Sequence, residues 1–171
     1  FCGMIVPGLL QTRAYAMAAA ESVKYIAKPS EAERFIEVRM RRQAILQRST
    51  PPQLSVVIDE AVLARRVGGV DVMRSQFEHL LERSHRARFT IQVIGFEAGI
   101  YPACPPEFML LDLGARVPAI YYSEDNFTWS DSSDEADVQQ MRQLWDLLQA
   151  KALSPADSAR RIVAHRDQLP A

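Results

Sequence analysis

The chain has 171 residues, 48% of them hydrophobic and 24% charged, with a net charge of −1 at neutral pH. That length and composition suffice for one hydrophobic core, while the near-balanced charge excludes the broad basic field that supplies most of the affinity for nucleic acid. No apolar run approaches the ~20 residues of a membrane span and no signal-peptide pattern opens the chain, so the sequence predicts a soluble, cytoplasmic protein in which Cys2 and Cys104, forming neither a CxxC motif nor a disulfide framework, stay reduced.

Phe1 is not an initiator methionine, and an ordered turn follows within a few residues, which predicts a further segment upstream. In "VPGLLQTRAYA", Val6 to Ala16, Pro7 and Gly8 make a turn. Thr12 is placed to cap a helix running from Arg13 to about Ala27, which Pro29 stops. A second helix is expected from Ser30, because Ser30 and Glu33 have the spacing of a capping box, and Phe35, Ile36, Met40 and Ala44 recur at helical intervals. Arg34, Arg39, Arg41, Arg42 and Arg48 crowd this helix, mostly toward its C-terminal half, the favourable end for cations. They read as a solvated face with Glu37 and Arg41 paired at i,i+4. The alternative is a basic patch, including Arg39 and Arg42, for an acidic partner or for DNA phosphates.

"STPPQ" ends that segment, and "LSVVID" follows as a short apolar strand. Asp59 can cap the short helix "EAVLARRV", terminated by Gly68 and Gly69. Asp71 can cap the next helix, whose Met73, Phe77, Leu80 and Leu81 share a face. "FTIQVIGF" is the expected sheet strand beside "LSVVID". After the loop "EAGIYPACPP", the segments "EFMLLDLG" and "PAIYYSED" carry a hairpin signal. Two helices close the chain, the last opened by Ser154 with Pro155 at its first position. The fold class is therefore α+β: a single domain over residues 1–171, a small mixed or antiparallel sheet packed with helices, helical at both ends.

Chemistry is sparse. There is no P-loop, GxGxxG, GxSxG or HExxH, and the residues imply no cofactor. His79 and His85 lie six residues apart on one predicted helix, roughly 240° around its axis, and cannot share a ligand face. Glu82 and His85 form one ExxH, where a carboxylate-bridged di-metal site needs two, so no metal is expected. Cys104 sits in a Pro-rich loop with no histidine near it in sequence to activate a thiol. Asp59 and Glu60 end a strand, where they can cap a helix or act as carboxylate acid and base in a small-molecule enzyme. Tyr121, Tyr122, Phe127 and Trp129 group around Glu124 and can serve core packing, a ligand pocket or a partner surface.

"VPGLLQTRAYA", "RMRRQAIL", "LSVVIDEAVLARRVGG", "VMRSQFEHLLE", "IQVIGFEAGIY" and "ALSPADS" occur in that order. Together they resemble the C-terminal domain of actinobacterial XRE-type helix-turn-helix, antitoxin-like transcriptional regulators, over Val6 to about Ser158. One departure is Gly95, where that family tends to have proline. The resemblance implies a regulatory domain that dimerises, senses a signal or binds a small acidic or neutral partner protein. It implies contact with DNA only through an upstream helix-turn-helix domain, and it carries over no catalytic residue.

Overall fold

The computed structural model describes residues 1–21, 29–101, 107–114, 117–124 and 129–170, with the main chain alone at 29–32, 124 and 129. A short 3-10 turn at Gly8–Leu10 leads into α1 (Arg13–Glu21). Next come α2 (Pro29–Arg42), a 3-10 turn at Gln43–Gln47, and β1 (Leu54–Asp59). The crossover elements α3 (Ala61–Ala64) and α4 (Val70–Ser84) precede β2 (Phe89–Ile94). β3 (Phe108–Leu111), β4 (Ile120–Glu124) and β5 (Trp129–Ser132) follow, and α5 (Glu135–Lys151) and α6 (Pro155–Asp167) end the chain.

The α+β class is as the sequence predicts, but the strands form two small sheets in place of one. β1 and β2 pair in parallel, from Leu54 opposite Phe89 to Asp59 opposite Ile94. Parallel neighbours cannot be joined by a tight turn, and α3 and α4 supply the crossover. α4 buries Met73, Phe77 and Leu80, and α6 adds Ile162, in one cluster with Val56, Ile58, Ile91 and Val93. β3, β4 and β5 form an antiparallel meander. Its Phe108 joins Val57, Ile94 and Leu148 of α5 in a second cluster. Residues 1 and 2 join the two sheets. Cys2 donates its N–H to Val57 O (3.1 Å) and accepts from Asp59 N–H (3.1 Å), while Phe1 exchanges bonds with Phe108.

The local signals hold where a cap is formed by neighbouring residues. Tyr15 N–H donates to Thr12 Oγ1 (3.2 Å), Asp134 caps α5 by accepting from the Ala136 and Asp137 amides, and Ser154 caps α6 with Pro155 in its first turn. Four expectations are corrected. Pro29 opens α2, where its fixed φ and missing N–H suit a first helical position, and this puts Ser30 inside the helix instead of at its cap; the expected end of the first helix lies outside the described residues. Asp59 does cap, accepting from Ala61 N–H at 2.7 Å, but α3 is one turn long and ends well before the glycines. Gly68 is needed for close approach, because a Cβ there would lie 2.7 Å from the Ala18 methyl group. Gly69, at φ +92°, precedes α4, and Asp71 lies inside its first turn instead of capping it. Finally, Glu37 pairs with Arg13 at 2.7 Å and not with Arg41.

Candidate functional site

The carboxyl ends of two parallel strands are where open α/β sheets commonly place their ligands, and the polar residues converge there. β1 runs out into Asp59 and Glu60, and β2 into Gly95, Phe96 and Glu97. Glu60 is only 5% exposed. Its Oε1 lies 2.9 Å from His165 Nε2; its Oε2 accepts from Phe96 N–H at 2.8 Å and from Arg161 Nη1. Arg161 turns its other edge to Glu97 in a bidentate pair of 2.7 and 3.1 Å. Beside it, Asp59 Oδ2 accepts from the Tyr101 hydroxyl at 2.6 Å.

Burial would raise the Glu60 carboxyl, but the hydrogen bonds from His165 and Phe96 and the charge of Arg161 outweigh it and hold the group below the ordinary carboxylate value. The bond to Glu97 raises Arg161 further. A general base or acid working near neutrality needs a pKa drawn toward that pH, and Glu60 is moved the other way with both oxygens occupied. The arrangement suits a brace that fastens α6 across the strand ends. Sequence reasoning singled out Asp59 and Glu60 but missed their partners. Arg161 and His165 stand four residues apart on α6, the one signal that could have found them; Glu97 and Tyr101 leave none.

A second polar network explains the motif near the N-terminus. Gln11 and Gln76, both almost wholly buried, clamp the turn from two sides. Gln76 Nε2 donates to Leu10 O and its Oε1 accepts from Thr12 N–H, each at 2.7 Å, and Gln11 Nε2 donates to Val6 O at 2.7 Å. Gln43 Nε2 donates to Gly8 O and Gln11 O at 2.8 Å. Arg39 Nη1 reaches Gln11 Oε1 at 2.7 Å and its guanidinium lies 4.6 Å from the centre of the Phe35 ring. A turn with several buried carbonyls must find a donor for each. "PGLLQT" and "RMRRQ" thus meet because the second supplies donors to the first.

α2 consequently presents two different faces. Ile36 is buried, whereas Phe35 (49% exposed), Val38 (42%) and Ala44, with Arg34, Arg41 and Arg42, face outward. Of the residues grouped by helical spacing, Ile36 is buried and Met40 half-buried, while Phe35 and Ala44 are exposed. Among the described residues no acidic group pairs with Arg34, Arg41 or Arg42.

Of the aromatic group expected around Glu124, the structure describes the side chains of Tyr121 and Tyr122 alone. Alternation along β4 puts Tyr121 and Tyr122 on opposite faces. Tyr121 packs toward Phe108, with ring centroids 6.4 Å apart, and lines a recess of about 300 Å³ with Ser130, Asp131, Asp137 and Met141. Register sets Glu124 opposite Trp129. Phe127 and Cys104 lie outside the described residues. Cys2 is a free thiol whose pKa burial pushes up to about 12. Glu82 of the ExxH is engaged by Arg86 at 2.7 Å. Among the described residues no group of three or more His, Cys, Asp or Glu is placed to hold a metal, and no helix is long and apolar enough to cross a membrane.

Residues 1–164 match a domain of unknown function, DUF5753. The chain belongs to this family. Neither a curated protein nor a solved structure matches it. The match spans all the motifs quoted above and both sheets, so the turn clamp and, His165 apart, the strand-end brace lie within the family domain.

Proposed function

We propose that this DUF5753 domain is the regulatory, interaction-mediating part of a DNA-binding transcription regulator, acting through its surfaces and not by catalysis. The observation that carries this reading is the outer face of α2, where exposed Phe35 and Val38 sit among Arg34, Arg41 and Arg42, guanidiniums with no acidic partner among the described residues. Arg39, fixed between Gln11 and Phe35, holds the edge of this ledge in place. Apolar anchors flanked by arginine are the composition of protein contact surfaces. The saturated carboxylates at the strand ends support a noncatalytic role. In this reading DNA is bound by a helix-turn-helix domain upstream. Dimerisation spaces two recognition helices one DNA turn apart, and the domain described here sets that spacing or couples it to a signal or a small partner protein.

The test is a footprint of the protein expressed with the coding sequence that precedes Phe1, on its own promoter, beside the Arg34→Glu/Arg42→Glu variant. The expected result is a two-fold protected site whose occupancy or response changes in the variant while its melting temperature does not. A gene with no DNA-binding segment upstream, or a variant that regulates like wild type, overturns the reading.

A further inference from the structure

Two surfaces of the domain complement each other. The ledge on α2 is apolar at its centre, through Phe35 and Val38, and basic at its margins, through Arg34 and Arg42. The recess between the β4–β5 edge and α5 is the converse: Tyr121 and Met141, both half-buried, belong to the second apolar cluster, while Asp131 and Asp137 are exposed. Among the described residues no lysine or arginine lines it.

We infer that the α2 ledge of one copy of the chain docks in the Tyr121–Met141 recess of a second copy, with Phe35 in the recess and the arginines against the acidic margin. This deepens the proposal above by naming the surfaces through which the domain associates. The ledge cannot meet itself across a two-fold axis, since that would set guanidinium against guanidinium. A recess of about 300 Å³ has room for an aromatic ring, and burial of such a ring is the usual anchor of a contact surface. DNA phosphate fits the ledge poorly. Its centre is occupied by Phe35 and Val38, which gain nothing from a phosphate backbone, and the chain as a whole carries −1.

Sedimentation equilibrium of three proteins tests this: wild type, the ledge variant Arg34→Glu/Arg42→Glu, and the margin variant Asp131→Lys/Asp137→Lys, both of whose positions line the recess. Wild type is expected to self-associate, less so as salt is raised. Each variant alone sets like charges together and should associate about tenfold more weakly. Mixing the two variants restores attraction at both contacts, ledge glutamates to margin lysines and native arginines to native acids, so association should return to near the wild-type level. That recovery also shows that both variants are folded. A monomeric wild type at all concentrations, a mixture no stronger than its components, or variants that each associate like wild type overturns the inference. A monomeric chain that instead captures an added acidic amphipathic peptide overturns it too, in favour of a foreign occupant. Absence of a DNA-binding segment upstream of Phe1 would remove the regulator proposal and leave these outcomes untouched.

Discussion

The parallel pair and the antiparallel meander solve the same problem differently. β1 and β2 are covered on one face by α4 and α6 and on the other by Phe1, Phe108 and Leu148 of α5, and Val56, Val57, Ile58, Ile91, Val93 and Ile94 are all buried. The meander is covered on one face by α5; on β3, Phe108 is buried while Met109 and Leu111 are 42% and 37% exposed. Sheets covered on both faces read as continuous apolar runs, and half-covered ones alternate. The polar residues divide along the same line. In the parallel half several are buried and engaged, as with Gln11, Gln76 and Glu60, although Arg83 on α4 keeps one buried nitrogen without a hydrogen-bond partner among the described residues. Around the meander they form exposed pairs such as Arg142 with Asp112 at 3.5 Å. One half is a locked scaffold and the other offers surface.

Paired substitutions sharpen or erase this contrast. Phe77→Ala, in the parallel half, should cost about 4 kcal/mol by cavity formation, whereas Leu111→Ala should stay within about 0.5 kcal/mol. Urea unfolding measures both, and similar losses would dissolve the distinction. Glu60→Ala should cost about 3 kcal/mol, because it removes the buried acceptor shared by the Phe96 amide, Arg161 and His165, while Asp112→Ala should be close to neutral. The Glu60 carboxyl lies below its ordinary value of 4.5, so its contribution is complete above that pH and is lost as pH falls through the lower folded value. Stability measured against pH should therefore fall less steeply below pH 4.5 in Glu60→Gln than in wild type. A smaller loss than at Phe77 or Glu60 is expected at the motif that opens α1. Thr12→Ala should cost about 1 kcal/mol in thermal unfolding, the loss of one cap.

Much of this was legible in the sequence, and the limits follow physical lines. Caps at Thr12, Asp59 and Ser154, and the strand character of "LSVVID" and "FTIQVI", depend on residues within a turn or two. The strand-end placement of Asp59 and Glu60 follows directly from the strand. The parallel register was not legible, because Leu54 finds Phe89 only after a crossover has folded. Gln11, Gln76 and Gln43 were not legible either; a glutamine on a helix looks solvated until the carbonyls it serves are brought to it. That Ile36 is buried and Phe35 exposed was not legible, because periodicity alone cannot choose between them. The residues that complete the strand-end cluster come from α6, some hundred positions beyond Glu60.

The joint between the sheets carries a kinetic consequence. Pairing Phe1 with Phe108 closes a loop spanning 107 positions, and the entropy of such a closure rises with loop length before any bond rewards it. The halves on either side have their own cores, and the strand pairings within each sheet close much shorter loops. The seam therefore zips late during folding, and its backbone amides at Cys2 and Phe108 should exchange with solvent ahead of those in the middle of β1, where opening requires the whole crossover unit to come apart.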